Sequence, residues 1–249
     1  MSGKNLRTVP AEQRTNAEGK QILNKVLLAI PDDEYDLMRG DLTHVDLPSH
    51  LSLHEPTQAI EFVYFPNRGM VSQVVVTKDG QTVEVGVVGK EGFVGAGLAV
   101  GLTRSSVREV IQIAGDGFRM MGNAIGRVLR SAPQLQMILG RHTGLQAMQV
   151  AQTAACNRLH DIQQRLSRWL LMTQDRVGSG MLPITHDFIA TMMGTDRTTV
   201  SLAAAVMQRN GIIDYVRGAV KIVNRRKLEK SACECYEVIQ HLEDELGLR

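Results

Sequence analysis

The side chains whose type and spacing carry the clearest chemistry are Arg197, Thr198, Thr199, Ser201 and Leu202. Arg197 stands at the start of a helical pattern, where its guanidinium can donate two parallel hydrogen bonds. That is the pattern that O6 and N7 of a guanine accept in the major groove. Thr198 and Thr199 can reach a phosphate or a base edge, and Leu202 can touch a thymine methyl. A helix that presents such a face needs a second helix behind it and a device that fixes the angle between them.

Residues 184–223 supply both. Thr185 caps a first helix, with Asp187 favourable near its N-terminus. Ile189, Met192 and Met193 give it an apolar face, and Ala190 is small where two helices must cross. Gly194 ends it. Thr195 and Asp196 can cap a second helix starting at Arg197. Its inward stripe is Val200, Ala203, Ala204 and Met207, leaving Arg197, Thr198, Ser201, Leu202 and Ala205 outward. After Gly211, residues 212–216 and 219–223 are β-type runs around an Arg217-Gly218 turn. Helix, turn, helix and hairpin form a winged helix-turn-helix, which places one helix in the major groove. Arg217 and Lys221 would add backbone phosphate contacts. The DNA-contacting set is therefore Thr185, Thr195, Arg197, Thr198, Thr199, Ser201, Leu202, Arg217 and Lys221. The alternative is a helical hairpin packed in an ordinary core.

The rest of the chain must position this unit. Residues 1–20 are polar and aperiodic and predict a mobile tail. Residues 21–30 and 31–40 predict two short helices. Residues 45–113 carry β-branched runs with an Asp79-Gly80 hairpin and no long intervening helix, which favours antiparallel strands. Residues 133–159 return to helical spacing through Leu135, Ile138, Leu139, His142, Leu145, Met148, Gln149, Gln152 and Cys156. A last helical segment covers 225–246. The expected domains are a sensor-like β unit over 21–130, the long helix over 131–159, and 160–249 with the extra C-terminal helix.

With 249 residues there is room for two domains, and a net charge of +2 confines any basic surface to local patches. No run of 18 apolar residues and no signal-peptide pattern is present, so a soluble, cytoplasmic protein without a membrane partner is expected. Three cysteines, Cys156, Cys233 and Cys235, do not resemble a disulfide framework. On a helix, Cys233 and Cys235 would point roughly 200° apart, which is poor for chelating one ion. One would pack as a small hydrophobe and the other stay half-exposed, with a thiol switch as the alternative. No metal is expected. No nucleophile–base set, metalloprotease motif or phosphate loop occurs, so an enzyme is not expected.

Residues 184–213 resemble the DNA-binding domain of the Crp/Fnr superfamily of bacterial regulators. Residues 63–95 are similar to its β-roll sensor, and residues 165–178 to the helix that opens its DNA-binding domain. The resemblance covers roughly residues 20–225 in the expected order. It implies an α+β chain: a jelly-roll β-roll like those that bind cyclic nucleotides, a long dimerisation helix, and the winged helix-turn-helix. It implies a homodimeric transcription regulator that binds double-stranded DNA and contacts RNA polymerase. Dimerisation would use Leu135, Ile138, Leu139, His142, Leu145, Gln149, Gln152 and Cys156. A helix buried within one subunit is the alternative for that stripe, and a winged module that binds protein is the alternative for the whole. The matching effector pocket is Gly95, Ala96, Gly97, Arg104, Ser105, Ser106 and Arg108. Ala96 stands where the family has a ribose-binding glutamate, so cyclic mononucleotides are disfavoured and the effector is left open. Iron–sulfur binding would need four cysteines, and haem an axial ligand among His44, His50 or His54. No cofactor is therefore assigned. In the recognition helix Arg197 matches the family pattern, whereas Thr198 and Leu202 replace charged residues, which implies a different operator.

Overall fold

A computed structural model describes residues 14–245 and 247. Residues 1–13 of the expected tail lie outside these. Residues 14–20 do not behave as a tail. Arg14 is buried, donates to the Ile30 carbonyl (2.9 Å), pairs with Asp32 and lies over the Tyr35 ring (4.5 Å). Asn16 is also buried and donates to the Leu42 carbonyl. A polar stretch can be fixed when its polar atoms find buried partners, which composition does not report.

Two short helices, α1 (Lys25–Ala29) and α2 (Asp32–Arg39), precede the β-roll. The roll has strands β1 (Thr43–Leu47), β2 (Ser52–His54), β3 (Phe62–Pro66), β4 (Met70–Val76), β5 (Thr82–Val88), β6 (Arg108–Ile113) and β7 (Gly115–Met121). They form two antiparallel sheets, β1-β7-β3 and β2-β6-β4-β5. Phe65, Phe93 and Phe118 fill the core between sheets and helices. A 3₁₀ turn at Ala96–Val100 lies between β5 and β6, and α3 (Gly122–Val128) follows the roll.

The long helix α4 runs over Pro133–Leu159. Proline at its first turn loses nothing, because that N–H would be unpaired anyway. No residue of its own caps it. The Glu34 carboxylate from α2 accepts from the backbone N–H groups of Gln134 (3.0 Å) and Leu135 (2.7 Å). A buried carboxylate at a helix N-terminus satisfies two orphan donors and opposes the helix dipole. Farther along, α4 presses on the roll. Gln149 accepts from the Val87 N–H (2.9 Å), and the His142 ring packs on Phe93 (5.1 Å) and directly against Gly92. A Cβ at Gly92 would collide with that ring, so this glycine serves helix packing.

The C-terminal half is α5 (Ile162–Val177), β8 (Met181–Leu182), α6 (His186–Met193), α7 (Arg197–Arg209), β9 (Ile213–Val216) and β10 (Ala219–Ile222). Asp161 and Gln164 form a reciprocal capping box at the start of α5. The hairpin gains a third strand, β8, paired to β10, which is too short to show any alternation in the sequence.

The C-terminal segment expected as one helix is two, α8 (Arg225–Ser231) and α9 (Cys235–Glu245). Ala232 is extended and ends α8, so Cys233 lies outside any helix while Cys235 begins α9. The expected divergence of the two thiols on one helix is therefore corrected.

Glu34→Ala should cost about 1–2 kcal/mol of folding stability, and Glu34→Gln, with one acceptor left, less. Urea denaturation monitored by far-ultraviolet circular dichroism measures both.

Candidate nucleic-acid interface and β-roll pocket

The two-helix unit is built as its residue types require. Thr185 caps α6 by accepting from the Phe188 N–H (3.2 Å). Gly194 takes a left-handed φ of 60°, and a side chain there would crowd Val83 of β5 at 3.2 Å. It therefore both ends α6 and lets the unit dock on the roll. Asp196, rather than Thr195, caps α7, accepting from the Thr199 N–H (2.8 Å) and hydroxyl (2.7 Å). Those bonds hold the Asp196 carboxyl below its usual range.

Val200, Ala203, Ala204 and Met207 are buried, and Arg197, Thr198, Leu202 and Ala205 are exposed. Leu202 is 66% exposed, which an apolar side chain adopts only where nothing in its own chain covers it. Arg197 pairs at 3.3 Å with Asp187 across the turn. Thr199 is occupied by Asp196. Ser201 is half-buried and bonded to His186 Nδ1 (3.0 Å), whose ring stacks on Tyr215 of the wing (4.2 Å). Burial and the nearby Arg197 charge depress the His186 pKa. His186 thus ties both helices to the wing. It is absent from the sequence-based set, because a histidine beside an N-cap gives no signal of a contact with Ser201 on the next helix. Arg217 and Lys221 are exposed on the hairpin, and Thr195 is half-buried in the turn.

The family model described as a Crp-like helix-turn-helix domain matches residues 164–231. The chain thus carries a Crp-like helix-turn-helix domain over these residues. Its fold agrees with that of the c-di-GMP-responsive global regulator CLP of Xanthomonas campestris, at a TM-score of 0.65 and 14% identity over 78% of this chain and 100% of that one. FixK2 of Bradyrhizobium japonicum gives a TM-score of 0.64 at 14% identity over 77% and 98% of the two chains. A CRP-family transcriptional regulator of Thermus thermophilus gives 0.62 at 19% identity over 76% and 96%. No curated protein matches the sequence. No helix among the described residues is long and apolar enough to cross a membrane.

The β-roll carries a cavity of about 200 Å³ at the 3₁₀ turn. Gly95, Ala96, Gly97, Arg104, Ser105 and Ser106 line it, as expected, together with Gln73, Glu109 and Thr143 of α4. Arg108 does not: its Nε donates to the Glu55 carboxylate (3.0 Å), so its expected pocket role is corrected. Arg104 donates to the Thr57 carbonyl (2.6 Å). Glu109 is buried, bonded to His54 Nδ1 (2.5 Å) and to Gln73 (2.9 Å), while His54 Nε2 faces the Phe62 carbonyl. His54 is thus engaged at both nitrogens. His44 pairs with Asp116 at 3.0 Å.

The expected dimer stripe needs correction. Leu135, Ile138, Leu139, His142, Leu145, Gln149 and Cys156 are all buried within their own chain, and Gln152 is half-buried. The opposite side of α4 is the exposed one, at Met137, Gly140, Arg141, Gly144, Ala147, Met148 and Ala151. The helix is poor in charge on both sides, so periodicity found a face without revealing which partner covers it.

The two halves meet at buried polar groups. Trp169 Nε1 of α5 donates to Glu84 of β5 (2.8 Å), and Ser72 donates to the other carboxylate oxygen (2.5 Å). Burial pushes the Glu84 pKa up to about 7, against the opposing pull of those two bonds. The folded chain therefore takes up a proton that the unfolded chain, near 4.5, does not hold. Stability should fall as pH rises from about 4.5 to about 7 and level off above, by up to ~3 kcal/mol. In Glu84→Gln this part of the slope should vanish, as thermal midpoints across that window would report.

Proposed function

We propose that the chain acts as a homodimer that lays α7 of each protomer into successive major grooves of a two-fold operator. The observation that carries this reading is the exposed N-terminal face of α7, with Arg197 and Thr198 beside an uncovered Leu202. Arg197 leaves Asp187 to take a guanine edge, Thr198 takes a phosphate or base edge, and Leu202 takes a thymine methyl. Arg217 and Lys221 bind the backbone. Thr185, Thr195, Thr199 and Ser201 hold the geometry of the turn. The protein works in the cytoplasm without catalysis, and RNA polymerase is its further partner.

The dimer seam in this reading is the exposed face of α4. Met137, Gly140 or Arg141, Gly144, Ala147 or Met148, and Ala151 recur at alternating three- and four-residue steps, the spacing of a coiled-coil seam. A glycine inside a helix costs about 1 kcal/mol relative to alanine. Apart from the backbone of α4 itself and the adjoining residues, nothing among the described residues lies within 4 Å of a Cβ placed at Gly140 or Gly144. The close approach of a second helix gives these glycines a purpose. The β-roll pocket controls the dimer through Thr143. Ala96 offers no carboxylate to a ribose hydroxyl, which disfavours cyclic mononucleotides as its ligands.

Arg197→Ala should cost about 1–3 kcal/mol of specific binding and relax one base position. Fluorescence anisotropy on upstream DNA against scrambled DNA, at several salt concentrations, measures this. Equal binding by variant and parent, insensitive to sequence and salt, would favour a protein-binding module. Gly144→Leu should weaken the dimer at least tenfold, about 1.4 kcal/mol, with the monomer still folded. Leu145→Ala should instead lower monomer stability by about 2–5 kcal/mol. Sedimentation equilibrium and thermal melts separate the two.

A further inference from the structure

Three cysteines and a histidine meet at the joint between the long helix and the DNA-binding half. Cys156 is in the last turn of α4 and His160 caps its end. Cys233 lies in the break between α8 and α9, and Cys235 opens α9. One donor atom from each residue lies within 4.8 Å of all the others. Cys156 Sγ is 3.5 Å from Cys233 Sγ, and Cys235 Sγ is 3.5 Å from His160 Nδ1.

A tetrahedral zinc ion, at about 2.3 Å from sulfur and about 2.0 Å from nitrogen, holds its ligands about 3.5–3.8 Å apart. Two of the donor pairs already stand at that separation and the others lie within 4.8 Å, too close together to enclose a cluster of several iron atoms. The geometry points to a Cys₃His centre that binds one zinc-class divalent ion through Cys156, His160, Cys233 and Cys235.

The surroundings are those of a metal site. His160 turns Nδ1 to the sulfurs while its Nε2 meets the Glu234 carboxylate at 3.2 Å. A carboxylate on the far nitrogen fixes the tautomer that leaves Nδ1 free to ligate. Gln152 donates an N–H to Cys235 Sγ at 3.0 Å, as a thiolate would accept. Arg165 and Arg168 share a cavity wall with Cys156 and offset the net negative charge of three thiolates on a divalent ion. Packing alone accounts for three buried cysteines as small hydrophobes. It gives no reason for an imidazole nitrogen aimed at their sulfurs. All three thiols are buried and four protein donors complete the shell, which marks a structural ion with no position left for a substrate.

The ion would tie the end of α4 to the break between α8 and α9. It would thereby fix the angle at residues 159–161, where the chain passes from the long helix to the DNA-binding half. Without it, that angle rests on packing and on a few buried polar contacts, among them Arg168 of α5 donating to Thr153 of α4 at 3.0 Å.

The test uses the full chain, purified reduced and without a histidine tag. Elemental analysis should find one zinc per chain. The metal-free protein titrated with cobalt(II) should develop the visible bands of a tetrahedral ion and thiolate charge transfer, saturating at one equivalent. Cys156→Ser and Cys235→Ser should lose those bands. Glu234→Gln changes an exposed side chain, should fold as the parent does by circular dichroism, and should bind cobalt about tenfold more weakly. Zinc should raise the thermal midpoint of the metal-free parent. The assignment is overturned if the reduced, metal-free parent gives no tetrahedral cobalt spectrum. It is equally overturned if the spectrum persists in both cysteine variants. None of these readouts involves DNA, so the outcome is independent of the operator reading.

Discussion

The long helix α4 must satisfy partners on both of its sides, and the rest of the molecule is arranged around that demand. One side is buried on the roll through Leu139, His142 and Leu145, and lower down by the C-terminal segment at Cys156. Its first turn has no cap of its own and borrows the Glu34 carboxylate from α2. Its other side is mostly apolar or small, Arg141 apart, and is exposed among the described residues. Neither side carries the charge that a solvated helix face normally shows. A helix of this kind is stable only inside a layered assembly, with the roll on one side and a second copy on the other in the reading advanced above.

The DNA-binding half is fixed to the roll by a few buried polar contacts set in an apolar interface. Arg176 of α5 pairs with Glu91 before the 3₁₀ turn at 2.9 Å and with Glu243 of α9 at 3.1 Å. The two carboxylates hold the guanidinium charged against the cost of burial. Removing either leaves a buried charge short of a partner, which costs more than the intact pair gains. Together with the Trp169–Glu84 bond, this bridges three segments distant in sequence. Such contacts add little net stability but penalise any other docking of the two halves, so they set orientation more than they set affinity.

What was legible in the sequence followed from local rules. The α6–turn–α7 unit could be read because Gly194, the capping residues and the inward stripe all act within one turn of themselves. The roll could be read because antiparallel strands alternate and their hairpins carry turn residues. Four features resisted for one common reason: each depends on groups that lie on other elements of the chain. The stripe on α4 is legible, but a helix that mixes apolar, small and uncharged polar residues on both sides does not state which side meets which partner. The fixed segment at Arg14 and Asn16 reads as polar tail because its partners, Ile30, Asp32 and Leu42, lie on other elements. The convergence of Cys233 and Cys235 needed a helix break at Ala232, which no proline or glycine announces. The family resemblance offers Arg108 to the pocket beside Arg104, yet the strand directs it to Glu55 on the neighbouring loop.

One rigid helix passes three points of interest in turn. Thr143 lines the β-roll cavity, Gly144 and Ala151 face outward at the proposed seam, and Cys156 reaches the joint with the DNA-binding half. A helix does not compress along its axis, so a shift at the cavity end must appear at the other two points. Coupling between sites needs an element with two arrangements that each site can bias. The joint at residues 159–161 is where such a second arrangement is available, because α4 ends in an extended His160 and α5 begins afresh with its own capping box. A clamp on that joint would convert a loose swivel into a fixed angle, and the spacing of two recognition helices on DNA depends on that angle.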